Sequence, residues 1–174
     1  RGDFAKGVKD LGLVVSGRDR EIGDTEMLQG VDVAKSRDLG NDPFPFGDET
    51  FDFVFSKSVI EHIQNPDTIM KEMRRVLKTG GRVITMTPDW HSQMFIFYDD
   101  PTHVHPYTCT GLQDLFAIYG FKDVYAELFY QLPVLWKYPW LKIISKTLQL
   151  LGPVKRIYKN KFMRWSRELM IWAS

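Results

Sequence analysis

Two kinds of apolar spacing alternate along this chain. Short, compact apolar runs closing on a polar residue read as buried strands: "LVVSGRD" ending at Asp19, "VDVAKSRD" ending at Asp38, "FDFVFS" over 51–56 and "RVITMTP" over 82–88. Between them the apolar positions recur every three or four residues. Phe4, Val8 and Leu11 share one helical face ahead of Gly12. Ile69, Met70, Met73, Val76 and Leu77 form the stripe of a longer helix that Gly80 or Gly81 should end. For that helix Asn65 can cap and Pro66 suits the first turn, while Asp67 lies near the positive end of the dipole. A third helix is expected over 110–119, with Thr110 and Gln113 spaced as a capping box and Leu112, Leu115, Phe116 and Tyr119 facing inward. "FKDVYAELF" and "ELMIWAS" supply two last strands.

Strands alternating with helices imply an α/β fold, a mostly parallel sheet with helices on both faces. Such sheets bind ligands beyond the carboxyl ends of their strands, where Asp19, Asp38 and Ser56 all fall. The 174 residues are expected to form a single domain, with apolar content typical of a globular core. The lone Cys109 excludes an internal disulfide and any cysteine-cluster zinc site. No apolar run reaches the roughly eighteen residues of a membrane span, and the single cysteine fits a reducing compartment, so the expected location is cytoplasmic, with peripheral membrane contact as an option.

Residues 44–88, "FPFGDETFDFVFSKSVIEHIQNPDTIMKEMRRVLKTGGRVITMTP", resemble the central motifs of the class I S-adenosylmethionine-dependent methyltransferases, in the type 11 group. The likeness rests on the "PFGDETFDFV" approach to one strand, the "EH" after it and "RRVLKTGGRV" leading into the next; "DPTHVHPYTCTGLQDLFAIYGF" is similar to the family's segment around its last crossover helix. The resemblance implies a Rossmann-like three-layer sandwich using S-adenosylmethionine. It also makes Arg1-Gly2 the end of the family's glycine-rich loop, with Gly2 its last glycine, and the fold N-terminally truncated, lacking the first family strand. Arg1-Gly2-Asp3 as an adhesion tripeptide would need an exposed loop in a secreted protein, which nothing else in the sequence suggests.

Cofactor chemistry then distributes over named residues. Asp19, ending its strand, can accept both ribose hydroxyls in charge-assisted hydrogen bonds. By resemblance Asp38 takes the adenine amino group, with Asp42 a competitor, and the Leu39 backbone N–H donates to the ring. Ser56, with Lys57 and Ser58 after it, falls beside the methionine moiety. Methyl transfer itself demands alignment of donor and nucleophile. A base is required only where the nucleophile carries a proton, and His103 and His105, in the loop that covers the acceptor pocket in relatives, are the catalytic candidates, with His62, His91 and Tyr107 behind them. Asp99, Asp100, His103 and His105 include metal-ligand types. Ligands so close in sequence rarely converge without a second pair from elsewhere, and no metal is expected.

Charge divides the chain unevenly. Residues 131–174 hold nine Lys or Arg against one acid, Glu168, while residues 1–130 hold 14 basic and 21 acidic groups, a net −7. A basic, amphipathic insertion over 131–166 precedes the last strand. From 139 to 151 Trp140, Leu141, Ile144, Leu148 and Leu151 share a helical side, and "PVKRIYKNKFMRWSR" follows, mixing basic and aromatic residues. That mixture suits peripheral contact with an anionic membrane through 139–165, or a lipid-like acceptor. No nucleic-acid module is present. The leading expectation is methyl transfer to a small-molecule or lipid-like acceptor. Its alternative is a truncated or non-catalytic binding or assembly domain, in which the strands beside the absent one pair abnormally, borrow a strand from a second copy as a homodimer, or leave a gap.

Overall fold

The computed structural model describes residues 16–19, 32–35, 38, 40–129, 133–144, 147 and 168–173. The expected helix over 4–11, Gly2, Leu39 and most of the basic insertion lie outside the described residues.

Six strands form two hydrogen-bonded sheets among the described residues. β1 (Ser16–Asp19) and β2 (Asp32–Lys35) pair in parallel. β3 (Phe51–Lys57), β4 (Leu77–Pro88), β5 (Tyr125–Phe129) and β6 (Glu168–Ala173) make a second sheet in the order β3-β4-β6-β5. β3 and β4 run parallel, whereas β6 enters between β4 and β5 antiparallel to both. The architecture is α/β, as the alternating pattern implies. Asp38 lies outside β2 rather than on its last residue.

Helix α1 (Asp67–Val76) buries Ile69, Met70, Met73 and Val76, the stripe legible in the sequence. Its start differs slightly from expectation. Asn65 Oδ1 accepts the Asp67 N–H at 3.1 Å, an Asx turn ahead of the helix, and Pro66 occupies the cap itself. Its end differs more. Leu77 turns extended at ψ 135° and starts β4, three residues before Gly80, because its backbone pairs with Phe51 of β3. Gly80, at φ +78°, therefore lies inside a strand.

After the short helix α2 (Trp90–Gln93), helix α3 (Cys109–Ile118) is capped by Thr108, whose hydroxyl accepts the Gly111 N–H at 3.1 Å. The cap is two residues earlier than the Thr110 box expected. The far end is a Schellman motif: Phe121 N–H reaches Phe116 O at 3.2 Å, Gly120 N–H reaches Ala117 O at 2.9 Å, and Gly120 takes φ +82°. The Phe116 and Phe121 rings, 5.1 Å apart, close it. Leu112 and Phe116 are fully buried and share one core with Ile69, Met70, Met73, Ile60, Ile63 and Val83. α1 and α3 thus cover the sheet face that carries Val54 and Val83, which are register partners.

Arg75 explains why "PFGD" and "RRVL" occur together. Its guanidinium donates to Glu72 Oε1 and Oε2 (2.9 and 2.7 Å), to Asp48 Oδ1 (2.6 Å) and to the carbonyls of Phe46 and Phe44 (2.8 and 3.1 Å). Glu72 Oε2 in turn accepts the Phe44 N–H at 2.6 Å. One planar fork holds the loop that delivers β3.

Helix α4 (Pro133–Lys137) is anchored by the fully buried Leu135. Residues 141–144 are helical, in agreement with the amphipathic reading, but Trp140 and Ile144 of the expected inner stripe are exposed. Leu148, Leu151 and residues 148–165 lie outside the described residues.

Candidate active site

The carboxyl ends of the strands carry an unusual concentration of buried polar groups. Ser56 on β3, Thr85 and Thr87 on β4, Asp89 just after it and Glu61 in the 3-10 turn Ile60–His62 are all buried. Side chains of paired parallel strands share a face at register positions, so Ser56 and Thr85 lie side by side with Val54 and Val83 behind them. Ser56 Oγ, Thr85 Oγ1 and the Tyr107 hydroxyl have no hydrogen-bond partner among the described residues. Buried hydroxyls are normally satisfied, and leaving several orphaned at the ligand-binding end of a parallel pair marks a place built for something polar.

Asp38 sits in a preformed loop. Its Oδ1 accepts the Gly40 N–H at 2.8 Å and its Oδ2 accepts from Asn41 Nδ2 at 2.7 Å. Asp42, the competing acid, instead accepts the Asp38 N–H at 3.0 Å and closes the loop. A Cβ on Gly40 would meet Ile63 Cγ2 at 3.0 Å, so the loop packs tightly on the turn after β3. Between them opens a cavity of about 340 Å³ lined by Asp38, Gly40, Asn41, His62, Ile63, Gln64 and Asn65. Asp19 is the last residue of β1.

The two expected catalytic histidines occupy different surroundings. His103 packs its ring on Phe97 and His62, with centroids 4.6 and 4.8 Å away. Its Nδ1 lies 2.8 Å from Phe97 O, a carbonyl that can only accept, so Nδ1 carries the hydrogen and Nε2 presents its lone pair. His105 stacks on Tyr107 at 4.8 Å and 10°. The N–H groups of Val104 and His105 both donate to Glu61 O (2.9 and 3.1 Å), tying this loop to the turn after β3.

Glu61 is the residue that sequence reasoning passed over. Its side chain is 1% exposed; Oε2 accepts the Thr87 hydroxyl at 3.0 Å, and Oε1 accepts no hydrogen bond among the described residues. Burial raises its carboxyl above the ordinary value, against the opposing pull of backbone and side-chain hydrogen bonds and of the neighbouring histidines. Burial also raises the Tyr107 hydroxyl, with Glu61 adding to the effect. The one signal available in the sequence was the position of "EH" directly after a strand's carboxyl end. Gly2 and Leu39 lie outside the described residues.

Residues 26–85 match the family model of a methyltransferase domain. An uncharacterized protein of Methanocaldococcus jannaschii is 36% identical over 123 residues, 67% of this chain and 52% of its own length. A sterol 4-C-methyltransferase of Caenorhabditis elegans is 35% identical over 80 residues, 45% of this chain and 24% of its own. The chain spans about half the length, or less, of these curated relatives. A SAM-dependent methyltransferase structure from Archaeoglobus fulgidus superposes on 99% of this chain and 80% of its own, with a TM-score of 0.68 at 20% identity. The chain therefore carries the Rossmann-like α/β fold seen in solved S-adenosylmethionine-dependent methyltransferases, and its residues 26–85 match a methyltransferase-domain family model.

Proposed function

We propose that the protein transfers the methyl group of S-adenosylmethionine to an apolar, lipid-like acceptor. The observation that carries the reading is the orphaned, buried Ser56 hydroxyl near the carboxyl end of β3, with support from Asp38, whose loop lines a polar cavity together with His62, and from Asp19 as the last residue of β1. This donor set fits the cofactor: carboxylates for the ribose diol and the adenine amino group, and a buried hydroxyl in want of a partner for the methionine end. When bound, the cofactor supplies an electrophilic methyl on a sulfonium. By family resemblance Asp19 would hold the ribose, Asp38 and the Leu39 N–H would hold the adenine edge, and Gly2 would let the backbone approach closely.

His103 and His105 are the bases of this reading. With its hydrogen fixed on Nδ1 by Phe97 O, His103 keeps Nε2 able to take a proton from an acceptor hydroxyl, while His105 is oriented by its stack on Tyr107. An apolar acceptor is supported by the exposed Trp136, Tyr138, Trp140 and Ile143 ahead of a basic stretch, and by a sterol-methylating relative. These exposed residues, together with the basic and aromatic residues that the sequence places in 139–165, would rest on an anionic membrane and collect the acceptor there.

Incubation of the full-length protein with methyl-labelled S-adenosylmethionine and, separately, total lipid and polar cell extracts tests the proposal. Label should enter the lipid fraction. Cofactor binding with label in neither fraction would return the alternative, a binding or assembly domain without turnover, and label in the polar fraction would overturn the lipid-like acceptor.

A further inference from the structure

We propose that Glu61, His62 and His103 form a binding site for a divalent transition metal, zinc foremost, with three protein ligands and an open fourth position. One ligand atom from each residue lies within 4.8 Å of the other two. The tautomers favour the reading. Thr102 Oγ1 gives its single hydrogen to Asp100 Oδ1 at 2.6 Å, so it faces His62 Nδ1, 2.9 Å away, with a lone pair; Thr102 O, 3.1 Å from the same nitrogen, can also only accept. His62 therefore carries its hydrogen on Nδ1, as His103 does against Phe97 O. Both rings are left with a bare Nε2, each fixed by a backbone carbonyl on its far side, the outer-shell arrangement that orients histidines on metals.

The third donor is independent of the rings. Glu61 Oε1 is buried and accepts no hydrogen bond, an expensive state for a carboxylate that a cation beside it would relieve, and it lies 3.9 Å from His62 Nε2. Thr87 holds the other oxygen and orients the carboxylate. Tetrahedral zinc places adjacent ligand atoms about 3.4 Å apart, given metal–ligand bonds of about 2.1 Å, so the rings close slightly on the ion. Two imidazoles and one carboxylate suit zinc and its transition-metal neighbours rather than magnesium or calcium, which prefer oxygen. The ligand pair missing from the "DDPTHVH" loop is supplied by the turn after β3, and His62 also lines the cavity beside Asp38. The metal thus pins the 97–105 loop to the strand ends, its open position accepts water or an anionic oxygen, and with His103 Nε2 on the ion the proton-accepting role falls to His105.

Calorimetric titration of the chelator-treated full-length protein with zinc chloride tests this without reference to methyl transfer. Saturable one-to-one binding is expected, with cobalt giving the visible bands of a four-coordinate site. Affinity should fall at least tenfold in His62→Gln and in His103→Gln, and stay unchanged in His91→Ala, an exposed histidine off the cluster. Circular dichroism shows whether each variant folds; His62→Gln, at a partly exposed position, keeps the test open should His103→Gln fail. No saturable binding, or equal affinity in a folded ligand variant, overturns the site and leaves an ordinary histidine–carboxylate cluster.

Discussion

The Thr87 hydroxyl donates to Glu61 Oε2 at 3.0 Å, joining β4 to the turn after β3 inside a face where both side chains are buried. Removing that hydroxyl leaves a buried carboxylate with no side-chain donor. Thr87→Val should lower stability by about 1–3 kcal/mol, while Thr87→Ser keeps most of it, as read from urea midpoints at constant slope.

Arg75 reaches five acceptors across the Phe44–Asp48 loop and α1, part-shielded from water. Arg75→Ala should cost about 2 kcal/mol, and Arg75→Lys should recover only part of it, because an ammonium cannot span carboxylates and carbonyls as a planar fork. Equal stability of Lys and Arg variants in denaturant would show that charge alone matters.

Gly120 combines a positive φ with a neighbour in the way: a Cβ there would run into the Arg74 guanidinium, which donates to Tyr119 O at 2.8 Å. Gly120→Ala should destabilise by about 1–2 kcal/mol. Adding Arg74→Ala to it should recover the steric share only. The share owed to φ remains, and a thermal melt of the double variant separates the two.

Asp67 is held below the ordinary aspartate range first by its hydrogen bond from Lys71 at 2.7 Å and then by the Tyr119 hydroxyl at 3.0 Å. A depressed carboxyl stabilises the fold above its unfolded value and loses that contribution as pH falls through the folded one. Asp67→Asn should therefore melt lower than the parent at pH 7. The gap should narrow once pH drops below about 3.8, and a gap that widens on acidification would reverse the sign.

Much of this was legible because it is local. The Ile69, Met70, Met73 and Val76 stripe and the strands through Asp19 and Ser56 follow from spacing within a dozen residues. Where tertiary pairing overrode local preference, the reading slipped: Leu77 left α1 early to pair with Phe51, and Thr108 rather than Thr110 capped α3. The Glu61, His62 and His103 cluster was not legible at all. It joins residues some forty positions apart, through Thr102 and Phe97 carbonyls whose direction no side-chain pattern encodes.

Methyl transfer by this protein requires first that the carboxyl ends of β1, β2 and β3 bind S-adenosylmethionine. Calorimetric titration of the cofactor into the full-length protein, Asp19→Ala and Ser56→Val measures it most directly. Saturable one-to-one binding is expected, weakening at least tenfold in Asp19→Ala, roughly the worth of a charge-assisted hydrogen bond, and measurably in Ser56→Val. Absence of binding in the parent, or unchanged affinity in both folded variants, would contradict it.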